Sequence, residues 1–351
     1  MEHFGLARFA IWLVFLVPGS FATTNSQQGG YHLIKKYTLG GGEFGRDYFD
    51  YLTLDVSARR LYLTHNTRVN VIDADSGTVL GDISNLHYVH GVALVKELDR
   101  GFISEGGADQ VTIFDLKTLQ VIGQVKTGGS PDCIIYDPAS RHIFTFNARS
   151  KDATVIEPAN GTVVATLPIG GHPEQAVADG NGMIYDNDED GNEVVVIDSR
   201  ALTIKARWPV APAITPTAMT MDREHRRLFV GGRNKLFAIM DADNGKVIQT
   251  LPIGGGVDTN IYEPETGLVF SSTREGTLHV FHEDSPDKFT VVETVFTQPG
   301  AKTMALDTKT HNLFLDTADF GPPPPPSNGT GPPMTVWTIV PGTFVLLVYG
   351  R

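Results

Sequence analysis

The chain reads as an all-β protein, a seven-bladed β-propeller of four-stranded antiparallel blades, and three observations carry that reading. Apolar segments ending in an acid before a turn recur as NVID, TIFD, TVIE, VVID and AIMD. Their acids, Asp73, Asp115, Glu157, Asp198 and Asp241, stand 42, 42, 41 and 43 residues apart, the length of a propeller blade. Seven further segments align at the same period: 50–55, 90–95, 132–137, 174–179, 217–222, 258–263 and 302–307. No stretch shows the 3.6-residue periodicity that a helical repeat needs.

The stretch Gly128–Ile169 shows one unit in full. CIIY is short and apolar, HIFTFN alternates, ATVIE is β-branched, and GTVVATLPI follows an Asn160-Gly161 turn, so four strands are predicted. One such sheet cannot cover its own faces and needs a copy on each side. The inner strands supply the register, since five of the seven end in Asp and one in Glu before a turn.

Ring closure is legible at the two ends. After the second strand near Leu313–Asp316 and a long insertion, FVLLVYG matches a third strand and no fourth follows. HLIKKYTL (32–39) runs into Gly40 as TLPI runs into Gly170, so it reads as a fourth strand lacking the other three. The N-terminal strand is therefore expected to complete the last blade and remove the open edge. A second arrangement makes MTVWTIV (334–340) the third strand and FVLLVYG the fourth.

Residues 1–22 read as a secretory signal peptide: one Arg, the apolar run FAIWLVFLV, then Ser20-Phe21-Ala22 before a cleavage site. The run is too short for a stable membrane span. Residues 23–351 then form a single propeller domain, periplasmic or secreted, with no transmembrane segment and expected to be monomeric. With 351 residues and 41% hydrophobic content the chain can bury a large core, and its net charge of −12 argues against nucleic-acid partners. Cys133 is the single cysteine, so there is neither a disulfide framework nor a haem-attachment pair, and it is expected to be a buried thiol.

Chemistry is sought at the first position of each inner strand, where the blades face the axis. That column reads Asp50, His90, Asp132, Glu174, Thr217, Asp258 and Lys302, whereas two residues further on it is mostly apolar. A polar collar above a packed layer suits a channel mouth, and the loops after the second strands add His65, Glu105, Asn147, Asp188 and Arg233 on the same face. The ligand-binding candidates are Asp50, His90, Asp132, Glu174, Asp258, Lys302, His65 and Glu105. Facing carboxylates repel unless a cation or a proton intervenes. A divalent cation, Ca²⁺ or a transition metal, is therefore conceivable, with Asp132, Glu174 and His90 as its ligands; a water-filled polar channel is the alternative.

The insertion 318–342 leaves the same face, and Pro322–Pro326 should be extended polyproline, either as a lid or partner-binding segment or as a tolerated loop. The arginines Arg59, Arg60, Arg100, Arg141, Arg226 and Arg227 lie near Asp55, Asp99, Asp137 and Asp222, so local turn pairing is expected. The glycine pairs have no following helix and read as strand connections, not phosphate loops.

The repeats, their GGxP starts and VIDxxxG turns resemble the YVTN-repeat propellers of the exported YncE-like family. Tyr62-Leu63-Thr64-His65 is the nearest copy of the eponymous tetrapeptide, and TADFGPPPPP (317–326) is similar to a segment of one subgroup. The resemblance implies the fold over nearly all of the mature chain and little about chemistry. Two functions follow. The first is a non-catalytic binding or scaffold module that takes a protein or small-molecule ligand at the top face and channel mouth. The alternative is a metal-assisted, lactonase-like hydrolase, in which a cation polarises a carbonyl and His90 moves a proton. No compact hydrolase motif such as GxSxG or HExxH is present.

Overall fold

A computed structural model describes Met1 and residues 29–40, 48–321 and 338–351. The leader at 2–22, Gly41-Gly42 and the Pro322–Pro326 run lie outside the described residues. The described chain forms seven four-stranded sheets and one two-stranded ribbon, with a single short 3₁₀ turn, Lys96–Leu98. Among the described residues no helix is long and apolar enough to cross a membrane.

Each blade is a meander from an inner to an outer strand. Blade 1 consists of Phe49–Asp55, Arg60–His65, Arg68–Asp73 and Val79–Ser84, and blade 2 of Val89–Val95, Arg100–Glu105, Gln110–Asp115 and Val121–Lys126. Blade 3 runs from Pro131–Asp137 to Thr162–Pro168, blade 4 from Pro173–Ala178 to Thr203–Pro209, blade 5 from Pro216–Asp222 to Val247–Pro252 and blade 6 from Val257–Glu263 to Lys288–Phe296. Blade 7 has the order Met304–Asp307, Asn312–Thr317, Val345–Gly350 and His32–Thr38. The N-terminal strand thus closes the ring, pairing His32 with Gly350 and Thr38 with Val345. Residues 334–337 of the alternative third strand lie outside the described residues; among the described ones Thr338–Ile339 pairs only with Phe320–Gly321, and Val345–Gly350 takes the third place in blade 7.

The core is divided among the blade boundaries. Strand alternation gives every blade two apolar faces, and seven buried clusters fill the seven boundaries. The closing boundary packs Leu61 and Leu63 of blade 1 against Phe314, Leu346 and Val348 of blade 7, so it is sealed by the same side-chain types as the others.

The turns on the far face are also joined across boundaries. Arg59, Arg226 and His311 occupy the same left-handed position before a second strand, with φ of 55°, 56° and 59°. Each reaches back to the acid ending the preceding inner strand: Arg59 to Asp307 at 2.7 Å, Arg226 to Asp179 at 3.2 Å, and His311 to Glu263 at 2.7 Å. The pairing of Arg59 with Asp55 and of Arg226 with Asp222 is therefore replaced by a bond to the preceding blade and one to Asp75 or Asp243 in their own blade. Asp55 fits the same scheme: its carboxylate accepts the Ser57 and Ala58 amides of its own turn at 3.0 Å and Lys96 of the next blade at 2.7 Å.

Candidate functional site

A β-bulge creates the collar. In blades 1 to 6 the register between inner and second strands slips at the start of the inner strand, as between Phe49 and Leu52 or between Pro131 and Ile134. The bulged residues are Asp50, His90, Asp132, Glu174, Thr217 and Asp258. A bulge frees a residue from the ladder and re-aims its side chain, so a polar side chain is presented there without breaking the apolar alternation behind it. Lys302 holds the corresponding place just ahead of Met304–Asp307.

Five collar residues form one connected arc over blades 6, 7, 1, 2 and 3. Lys302 Nζ donates to Asp258 and, at 2.8 Å, to Asp50. The other oxygen of Asp50 meets His90 Nδ1 at 2.8 Å and accepts the Tyr48 hydroxyl at 2.6 Å, while His90 Nδ1 lies 3.4 Å from Asp132. Burial alone would oppose charge on Asp50, but the Lys302 ammonium and the His90 ring outweigh it and hold the carboxyl well below its usual range. The same carboxylates keep Lys302 charged despite its burial and raise His90.

The far arc is organised by Glu189, which accepts from Thr217 Oγ1 at 2.6 Å and pairs with Arg233 at 2.9 Å and His172 at 3.3 Å. Glu174 stands apart from this network: its nearest cations are His172 at 3.8 Å and Arg233 at 3.9 Å.

Two carboxyls consequently carry the unbalanced charge. Burial pushes Asp132 up to about 6 against the pull of His90. Burial, then the Asp132 and Glu189 charges, lift Glu174 well above the usual carboxylate range. Their side chains remain 17% and 12% exposed, so the acidic sector is open to the channel.

An aromatic wall adjoins this sector. Tyr48 and Tyr88 stack with centroids 4.4 Å apart, and both meet the His90 ring edge-on. Tyr88 is 43% exposed and held at φ 52°, a left-handed conformation that non-glycine residues rarely adopt. Its equivalents in four other blades, Ser130, Thr215, Gly256 and Gly300, also have positive φ, so the turn geometry recurs around the ring, whereas a tyrosine stands at this position in blades 1 and 2, as Tyr48 and Tyr88.

Of the expected site residues, Asp50, His90, Asp132, Glu174, Asp258 and Lys302 occupy the collar, and Arg233 joins it. His65 and Glu105 are buried inside their blades. Glu105 accepts the His87 amide at 2.8 Å and Gln110 Nε2 at 3.0 Å, and His65 stacks on Phe344 at 4.3 Å. Asn147 and Asp188 are likewise buried. The proposed metal trio is divided: His90 and Asp132 group with Asp50, whereas Glu174 groups with His172 and Glu189. Tyr48, Tyr88, His172 and Glu189 were not anticipated, although three of them lie in the sequence column two residues before the collar.

No family model matches the chain, and no curated protein does. Among solved structures, a chain of "Crystal Structure of Mitotic Checkpoint Complex" superposes with a TM-score of 0.70 at 15% identity, covering 88% of this chain and 96% of that one. A chain of Kuenenia stuttgartiensis hydrazine synthase gives a TM-score of 0.67 at 13% identity, covering 76% and 91%. Likeness at identities this low shows the fold alone, and the seven four-stranded sheets make this chain a seven-bladed β-propeller.

Proposed function

We propose that this chain is an exported, non-catalytic binding module of the YVTN-repeat, YncE-like kind that receives a cationic group of its partner at the channel mouth. The observation that carries the reading is the Asp132–Glu174 sector: two mostly buried carboxyls whose nearest cationic groups stand 3.4 Å or more away, beside the exposed Tyr88 face. An ammonium or guanidinium there replaces the proton that otherwise relieves the repulsion, and an aromatic face adds attraction for the same charge. The similarity to a chain of the mitotic checkpoint complex supports a protein partner. The leader-like residues 1–22 support export.

Calorimetric titration with tetramethylammonium and with an arginine amide tests this reading. Binding is expected for the native chain and lost in Asp132→Asn/Glu174→Gln. Equal binding by that double variant would sink the proposal.

A metal-assisted, lactonase-like hydrolase is the second reading, favoured by one observation: Asp50, His90 and Asp132 offer ligand atoms within 4.8 Å of one another. It requires a bound metal and lactone hydrolysis that both disappear in His90→Ala. Competing for the same atoms are Lys302 and Tyr48, which already hold Asp50.

A further inference from the structure

On the face opposite the channel mouth, we infer that Asp222, His225 and Glu283 form a binding site for a divalent transition metal of the zinc class, clipping blade 5 to blade 6. Asp222 ends the inner strand of blade 5, His225 lies in the turn that follows, and Glu283 is on the third strand of blade 6, Thr277–Ser285. The three residues each offer a ligand atom, all within 4.8 Å of one another. His225 Nδ1 is 2.7 Å from Asp222 Oδ2 and 3.1 Å from Glu283 Oε1. One imidazole nitrogen and two carboxylate oxygens are a donor set for zinc and its neighbours. His225 is partly exposed, which leaves a side open for water.

Blade 6 differs from blades 1 and 5 at this point. Glu283 donates its amide to Gly267 O as Ala74 does to Arg59 O and Ala242 to Arg226 O, so the three positions are equivalent. Blades 1 and 5 therefore place a buried alanine where blade 6 places a carboxylate. Those blades also have Arg59 and Arg226 at the turn position that reaches back to the preceding acid, whereas blade 6 has Gly267. The acid that Gly267 leaves without its arginine is Asp222. Blade 6 thus adds a carboxylate and removes a guanidinium at one point.

Glu283 supplies the independent sign of a ligand. Its side chain is 4% exposed, and neither carboxylate oxygen accepts a hydrogen bond of ordinary geometry. Buried carboxylates whose donors are poorly aligned are costly. Burial raises the Glu283 carboxyl, with Asp222 adding to the rise, even though the Tyr262 hydroxyl and His225 lie against it. A divalent ion would neutralise both carboxylates and hold His225 by the nitrogen that now faces them.

Zinc titration of the purified chain, with thermal unfolding as a second readout, tests the inference. The native chain is expected to bind Zn²⁺ and to unfold at a higher temperature with it. His225→Ala and Glu283→Ala should each weaken that binding about tenfold or more and abolish the shift. Glu283→Ala restores the residue type of blades 1 and 5, so it is expected to fold. Asp132→Asn, at the channel mouth, should leave this binding unchanged, which separates the site from the acidic sector. Zinc binding equal in all variants would overturn the inference. So would a native chain whose unfolding ignores zinc, the result expected if a protonated His225 alone bridges the two carboxylates.

Discussion

Lys302 of blade 7 donates to Asp50 of blade 1 at 2.8 Å, with both side chains buried, so an ion pair bridges blade 1 and the blade in which the ring closes. Lys302 also holds Asp258, so one ammonium compensates two carboxylates. Replacing it by methionine leaves Asp258 without its ammonium and Asp50 with His90 alone as a cationic partner. Lys302→Met is expected to cost about 3–5 kcal/mol in urea unfolding, and adding Asp50→Asn should restore a large part. A loss below about 1 kcal/mol would show the pair to be energetically idle.

The acidic sector makes stability depend on pH with a definite sign. Asp132, raised to about 6, keeps a proton in the folded chain that the unfolded chain releases near pH 4. The folded state then binds more protons over this window, so stability falls as pH rises from about 4 to 6. Asp132→Asn should flatten that fall by about 1–3 kcal/mol, measured as the urea midpoint against pH. Cation binding should move oppositely, weakening below about pH 6 as Asp132 takes up its proton.

Tyr88 combines strain with exposure. A left-handed residue with a side chain costs about 1–2 kcal/mol, and the Tyr48 stack returns about 0.5–1.5 kcal/mol. Tyr88→Gly should therefore change stability by no more than about 1 kcal/mol while weakening cation binding. Thermal unfolding and calorimetry separate the two effects, and an unfolding temperature that drops together with affinity would make Tyr88 structural.

The closing strand contributes mainly backbone pairing. His32–Thr38 is largely exposed, whereas its partner Val345–Gly350 is buried throughout. Deleting residues up to 39 bares that apolar edge, and light scattering should report association. A surface change in the strand, Leu33→Thr, should stay within about 0.5 kcal/mol of the native chain.

Much of the fold was legible because the strand pattern repeats. The acids Asp73, Asp115 and Glu157 marked the period, and the inner strands fell within two residues of the expected starts. The collar was legible for the same reason, since aligned copies of one position must share a place in the ring. What it does was not legible. Lys302 and Asp50 are 252 residues apart, and no local pattern states that they meet. Tyr88 was missed because an apolar packing role is the ordinary reading of a tyrosine beside a strand; only its φ and its stack on Tyr48 show otherwise. Glu283 was missed because its equivalence to Ala74 and Ala242 depends on a hydrogen-bond register within blade 6.

The sequence by itself determined the seven blades, their four-strand order and the joining of the two ends. Hydrophobic alternation, turn chemistry and period are local properties repeated along the chain, so they survive without coordinates. Only the tertiary structure decided which charges are balanced. Whether a carboxylate is paired, protonated or left for a ligand depends on burial and on groups from neighbouring blades. Asp50, Asp132 and Glu174 share one column of the repeat, yet Asp50 is held charged by Lys302 and His90, while burial of Asp132 and Glu174 outweighs the cationic groups near them.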